Sequence, residues 1–300
     1  MTRSNLKNMH PRNVLRTPPN YTKLPIKHKD FRRVCTLNLN GTVSVDFRNE
    51  HTLRELAKMM LLEYFDLKVE FAPGSWMPTL ALRLNYVLWL EDLLEPLKLD
   101  TVRGIDIGCG SSCVYSLLAA KKNKWHMLAL DLKEINIEYA QKNVERNELQ
   151  SLIEVHQQPD KTTIFKSYFE SPNATKDKFH FCICNPPIFD SNSPNLTRRP
   201  ASRTVRTGSA EELTCEGGEV EFVQRIIEES MLYKERVTIF TTMLGVKSNL
   251  PKILDYLKAK NISNARTTEF HQGRTNRYNV AWSFHKEAIG DTAPNQKFCC

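Results

Sequence analysis

Thr101-Val102-Arg103-Gly104-Ile105-Asp106-Ile107-Gly108-Cys109-Gly110 begins as a short buried-strand pattern and breaks into two closely spaced glycines, and Cys113 to Lys122 then has helical periodicity. A glycine turn between strand and helix lets the backbone approach a ligand closely and presents helix N-terminal N–H groups. The run Trp125 to Leu130 reads as a second strand ending at Asp131, where a carboxylate can accept the hydroxyls of a ribose. Gly-Cys-Gly-Ser-Ser-Cys lacks the third glycine or alanine of the dinucleotide fingerprint, so the turn acquires meaning only from the elements after it.

Strand and helix patterns alternate from there on: Glu134–Asn147, Leu152–Gln157, Phe179–Cys184, Val220–Tyr233, Val237–Met243, Leu250–Lys260, Ala265–Phe270 and Tyr278–Phe284. This predicts an α/β fold, a doubly wound Rossmann-like sheet of about seven strands, the final short ones free to run antiparallel. Ligands of such sheets bind beyond the carboxyl ends of the strands near the switch point. Gly108, Gly110, Asp131 and Asn185 all fall on that edge, with the two glycines and the acid assigned to a cofactor.

The fourth strand stops at Asn185-Pro186-Pro187-Ile188-Phe189. Proline locks φ, removes an N–H and pushes the preceding residue into extended backbone. The Asn185 side-chain oxygen and the Pro186 carbonyl are left as two fixed acceptors, suited to a flat amine with two hydrogens. An adenine amine is such a group, so residues 185–189 are the candidate catalytic turn.

Charge is unevenly spread. Residues 1–35 carry nine Lys or Arg and one acid, a net of +8, equal to that of the whole chain, so residues 36–300 sum to zero. This arm, with Lys7, Arg12 and Arg16, has few apolar anchors and four prolines; it is expected to pair with phosphates and to order when it does. Residues 189–218 form an aperiodic insertion whose Arg198, Arg199, Arg203 and Arg206 come just after the catalytic turn, where a polynucleotide would enter. Gln272 to Arg277 adds Arg274 and Arg277 between the last two strands. Thr36 to Phe47 alternates like a hairpin around Asn40-Gly41, His51–Phe65 is helical, and Leu80–Leu94 reads as an amphipathic helix whose apolar face Arg83 interrupts. Pro73-Gly74 and Pro78 read as a linker, dividing the chain into a basic extension (1–75), a main domain (76–288) and a tail (289–300).

An apolar share of 41% supports a packed core, and no stretch nears the ~18 apolar residues of a membrane span. The basic N-terminus is followed by no apolar segment, so no secretory signal is read. Eight cysteines without paired Cys-x2-Cys hooks are read as reduced thiols of a cytosolic or nuclear protein, with no metal site. Oligomeric state is not legible.

Gly104–Gly108, Arg83-Leu84-Asn85-Tyr86, Asn185-Pro186-Pro187, Glu216-Gly217-Gly218-Glu219 with Phe222, and Gln272-Gly273-Arg274-Thr275 together resemble the methyltransferase-like protein 16 family. Its members are U6 small nuclear RNA adenosine-N6 methyltransferases, related to bacterial ribosomal-RNA adenine-N6 methyltransferases. The resemblance covers roughly residues 5–285. It implies an S-adenosylmethionine-dependent enzyme acting on a structured RNA with a UACAGAGA-like sequence, in the nucleus and also the cytoplasm. By the match, Arg83, Gly108, Asp131, Thr162 and Asn185 line the donor and amine pocket, and Lys161 belongs to a loop that covers the cofactor and contacts RNA. The family usually has glutamate where Asp131 stands and an aromatic where Ile188 stands; Phe189 is a candidate substitute. The sequence stops short of the C-terminal RNA-binding modules of vertebrate members. Two other classes share parts of the pattern. Glutamine-amide methyltransferases use the same turn without needing an arginine-rich arm, and an RNA-binding protein with weak or lost catalysis would explain Ile188. Hydride transfer has no other support.

Overall fold

A computed structural model describes residues 9–17, 19–159, 161–172, 174, 177–192, 208–272 and 275–289. In chain order the helices are α1 (Leu24–Lys27), α2 (Lys29–Arg33), α3 (Glu50–Phe65), α4 (Leu80–Leu94), α5 (Val114–Asn123), α6 (Glu134–Arg146), α7 (Lys166–Phe169), α8 (Ala210–Leu213), α9 (Gly218–Leu232) and α10 (Asn249–Ala259). The strands are β1 (Cys35–Leu37), β2 (Val43–Val45), β3 (Arg103–Ile107), β4 (His126–Asp131), β5 (Ile153–Gln157), β6 (Phe179–Cys184), β7 (Phe189–Asp190), β8 (Thr214–Cys215), β9 (Val237–Leu244), β10 (Ala265–Gln272) and β11 (Thr275–Trp282).

Seven strands form one sheet in the order β10-β11-β9-β6-β3-β4-β5. The five strands from β9 to β5 pair in parallel, and β11 and β10 return antiparallel. The strand order reverses between β3 and β6, so the doubly wound sheet and its switch point stand where the sequence patterns put them. Two cores cover its faces. One packs α4, α5, α3 and part of α6 against the sheet, the other α9, α10 and the residues around α7.

Three expectations change. Leu80–Leu94 forms a helix with the expected bounds but is not amphipathic: thirteen of its fifteen residues are buried. It lies between the sheet on one side and α3 and the arm on the other, and a helix covered all round has no reason for a polar stripe. The arm does carry anchors. Met9 and Leu15 enter the main core, while Leu24 and Phe31 pack on Leu56 and Met59 of α3. Its apolar residues are spaced too irregularly to form a periodic signal, since each inserts from a separate turn. Finally, the boundary near residue 75 does not separate two cores. Leu67, Val69 and Phe71 are buried with α4 and α5, and the backbone there is stitched to α6 by side-chain amides. Asn147 Oδ1 accepts from the Lys68 amide and Asn143 Oδ1 from the Glu70 amide, both at 2.8 Å. The hairpin around Asn40-Gly41 forms as expected, as β1 and β2. The insertion is not shapeless at its ends, because Phe189–Asp190 pairs in parallel with Thr214–Cys215. Among the described residues no helix is long and apolar enough to cross a membrane.

Candidate active site at the switch point

A cavity of about 730 Å³ opens beyond the carboxyl ends of β3, β4 and β6. Its floor is the glycine turn. Gly108 and Gly110 both have positive φ, +68° and +64°, and a Cβ on either would meet nothing within 4 Å. That backbone suits glycine, and the space in front of it is ligand-sized and not filled by protein. The turn is fixed from behind: Cys109 donates to the Leu130 carbonyl at 2.9 Å and Gly110 to Asp131 Oδ2 at 2.8 Å. Asp131 Oδ1 also accepts from the Lys133 amide and Asn136 Nδ2, each at 3.0 Å. A carboxylate offers about four acceptor sites, so roughly one remains for a ligand hydroxyl. Under the turn, Asp106 accepts from Ser116 through both its amide and hydroxyl, while its other oxygen has no hydrogen-bond partner among the described residues. Burial pushes the Asp106 carboxyl up to about 7, against the Ser116 hydrogen bonds, which work downward.

Arg83 reaches the same cavity from α4, buried but lining its wall. Its Nη1 donates to the Tyr115 hydroxyl at 2.7 Å, and the guanidinium carbon lies 5.2 Å from the Tyr115 ring centroid. Burial pushes the Tyr115 phenol up to about 12, so it stays a neutral acceptor for this cation. A guanidinium has five N–H donors, and this pairing leaves others for an anionic ligand group.

On the opposite side, β6 delivers Asn185, Pro186, Pro187 and Ile188 into the cavity wall. No described residue donates a hydrogen bond to the Asn185 side chain or the Pro186 carbonyl. Both residues line the cavity, and neither acceptor is engaged by a donor from the described residues. Ile188 packs against Gly245, where a Cβ would stand 3.0 Å from its Cδ1. Gly218 brings the first turn of α9 against the backbone of residues 188–190. Glu219 locks this arrangement: its buried carboxylate accepts from the amides of Gly245 (2.7 Å) and Val246 (3.0 Å) and from Asn249 Nδ2 (2.8 Å). Burial raises the Glu219 carboxyl, and these donors pull the other way. Phe189 does not line the cavity, because its backbone is committed to β7. Phe222, one turn after Gly218 on α9, does line it.

The rim carries Lys161, Thr162 and Thr163 together with Arg225 and Arg277. Glu229 holds the adjoining loop, accepting from the amides of Ile164, Phe165 and Lys166. Arg225 Nη1 donates to the Lys161 carbonyl at 2.7 Å and its guanidinium stacks on the Phe222 ring, 5.1 Å from the centroid. The end of the insertion also reaches the rim: Lys133 Nζ donates to Ser209 Oγ at 2.9 Å, and the Trp76 amide to Glu212 Oε2 at 3.0 Å.

The cavity thus gathers Arg83, Gly108, Gly110, Asp131, Lys161, Thr162, residues 185–188 and Arg277. Arg12 is half-exposed and engaged on α4. It pairs with Glu91 at 2.6 Å and with Asp92, and Nη2 donates to the Leu88 carbonyl, because α4 sets its acidic end beneath it. Arg16, half-buried in a short turn, lies away from the cavity. Lys7, Arg198, Arg199, Arg203, Arg206 and Arg274 lie outside the described residues. Nothing local in the sequence singles out Trp76, Gln158, Glu212, Arg225 or Glu229. Only their neighbours in space connect them, whereas Phe222 accompanies the Glu216–Glu219 motif.

The cavity is nucleotide-sized and lined by a glycine turn, a carboxylate and the Asn-Pro-Pro turn, and the chain that builds it is similar to known methyltransferases. A U6 small nuclear RNA (adenine-(43)-N(6))-methyltransferase of Drosophila pseudoobscura pseudoobscura is 70% identical over 283 residues, 92% of each chain. The crystal structure of the human METTL16 catalytic domain with a MAT2A 3′UTR hairpin superposes with a TM-score of 0.86 at 39% identity, covering 96% of this chain and 99% of that one. The N-terminal domain of human METTL16 in complex with SAH superposes at 0.78 and 36%, covering 93% and 99%. Because residues 3–286 match the RNA methyltransferase family, and the sheet edge carries the groups such a reaction needs, the chain belongs to that family.

Proposed function

We propose that this chain transfers the methyl group of S-adenosylmethionine to the N6 amine of an adenosine in structured RNA, with U6 small nuclear RNA the substrate its relatives indicate. The observation that carries the reading is that Asn185 and Pro186, whose side-chain oxygen and carbonyl accept from no described residue, line a cavity with a glycine-turn floor. Nuclear residence follows from that substrate.

The residues present fit the methyl donor. Gly108 and Gly110 leave backbone exposed to a flat nucleoside, Asp131 has capacity for a hydroxyl, and Arg83 offers donors to a carboxylate. When bound, the donor supplies a methyl group on a positively charged sulfur. The target adenosine must leave its stack, since base-edge chemistry is not possible inside one. Asn185 and Pro186 then accept the two amine hydrogens, which draws the nitrogen out of conjugation and frees its lone pair for in-line attack. The protein contributes placement and fixed dipoles. Phe222 supplies an aromatic surface in the cavity wall, and Ile188 adds an apolar one. Stacking on a ring contributes about 1–3 kcal/mol per base.

The test uses the whole chain with labelled S-adenosylmethionine and three acceptors: U6 RNA, an ACAGA-containing hairpin and a glutamine peptide. Label in RNA at N6 is expected. Label in the peptide alone, or RNA binding without transfer, would overturn the assignment.

A further inference from the structure

β6 is flanked unequally. On one side its ladder with β3 continues to Ile107 opposite Cys184, the last residue before Asn185. On the other side its pairing with β9 consists of Phe179 with Val237 and Phe181 with Ile239. Past that point side chains replace the ladder. Thr241 Oγ1 donates to the Cys182 carbonyl at 2.6 Å, so its proton is committed, and the Tyr86 hydroxyl 2.7 Å away must donate to the Thr241 oxygen. The Tyr86 oxygen in turn accepts from the Cys184 amide at 3.4 Å. A directed circuit therefore runs from Cys184 N–H through Tyr86 and Thr241 to Cys182 C=O, beside a weaker sulfur bridge in which Cys182 Sγ accepts from the Thr241 amide at 3.4 Å and donates to its carbonyl at 3.9 Å. Tyr86 is fully buried, its ring meets Tyr115 edge-on at 5.6 Å, and Arg83 lies one turn earlier on α4 holding the same Tyr115.

We propose that Tyr86 is a positioning residue for methyl transfer: its hydroxyl replaces the missing ladder between β6 and β9 and fixes the strand end on which Asn185 is mounted. Two strands that part company leave the intervening N–H and C=O groups to be satisfied otherwise, or the strand end drifts. A displacement of about 1 Å at a reacting group costs on the order of a hundredfold in rate. The same tyrosine, through Tyr115, keeps the acceptor turn in register with Arg83 on the donor side.

The inference rests on Asn185 acting as the amine acceptor, and the experiment separates the two. Tyr86→Phe in the whole chain is assayed for turnover on hairpin RNA, donor affinity by calorimetry and RNA affinity by anisotropy. Expected is a fall in kcat of about 10- to 100-fold with both dissociation constants within about twofold of wild type. Thr241→Val, which breaks the circuit without touching Tyr86, should reproduce it, while Thr241→Ser keeps the hydroxyl and most of the turnover. Should Tyr86→Phe fail to fold by circular dichroism, the Thr241 pair decides by the same criteria. An undiminished kcat, or a fall in both affinities in step with kcat, overturns the positioning role. A wild-type chain that binds donor and RNA without transfer refutes the acceptor reading instead.

Discussion

The acceptor turn and the N-terminal arm are both punctuated by proline, yet their polar groups meet opposite fates. Asn185 and Pro186 line the cavity, and their oxygens have no donor from the described residues. In the arm the polar groups that lie along α4 are taken. Asn85, buried on α4, accepts from the His10 amide at 3.0 Å and from Asn13 Nδ2 at 2.6 Å. His10 Nε2 lies 2.8 Å from Asp92, and Arg12 engages Glu91, Asp92 and Leu88. Proline withholds donors in both places. A strand laddered to β3 mounts the turn at the cavity wall, where no described donor meets it, whereas the arm lies along a helix that offers it partners.

The largest effect should come from emptying the turn. Asn185→Ala is expected to lower kcat at least about a thousandfold, as loss of a preorganised transition-state contact does, while unfolding stability stays within about 0.5 kcal/mol. Single-turnover methylation and thermal unfolding measured on one preparation check both halves. A large stability loss would show that the turn is bonded internally after all.

Next comes pH, where the strand beneath the glycine turn and the arm should respond with opposite sign. Asp106 is held up near 7 by burial, so between its unfolded value near 4 and pH 7 the native state keeps a proton the unfolded chain has lost. Stability should therefore decline across that window by about 1–4 kcal/mol and level off above it, and Asp106→Asn should flatten the decline. Around Asp92, burial works upward, but the His10 ring and Arg12 outweigh it and hold the carboxyl below its ordinary value. That contribution is present above the unfolded value and disappears as pH falls through the folded one, loosening the arm below about pH 4. Urea titrations from pH 3 to 8 with a fluorophore on the arm would separate the two.

Asn13→Ala tests the arm's docking directly. Removing one of two donors to a buried amide oxygen should cost about 1–3 kcal/mol, seen in the denaturation midpoint, with kcat at saturating RNA little changed. The smallest effect is expected at Arg12. Its exposed ion pairs are each worth under about 1 kcal/mol, and because they already occupy the guanidinium, Arg12→Ala should leave the salt slope of RNA affinity nearly unchanged. A slope shallower by about one would mean that Arg12 leaves α4 to meet a phosphate.

Much of the sheet edge is readable from local pattern. Phe179–Cys184 and Leu80–Leu94 have the bounds their apolar runs predict, and Gly108, Asp131 and Asn185 converge because strand ends in a doubly wound sheet must. Phe189 passes for a stacking substitute in the sequence because nothing local announces the two-residue pairing with Thr214–Cys215. Glu219 and Glu229 act through backbone amides far along the chain, a kind of partnership that leaves no periodicity.

Order along the chain is enough to establish the fold class, the proline corner after β6 and the basic arm, because strand, glycine turn and proline corner are local consequences of backbone sterics. Contacts between distant residues decided the rest: that the arm is docked on α4, that Phe222 and not Phe189 faces the cavity, and that Tyr86 bridges the parting of β6 and β9. Burial and hydrogen bonding between segments depend on which surfaces meet, and only the folded chain brings them together.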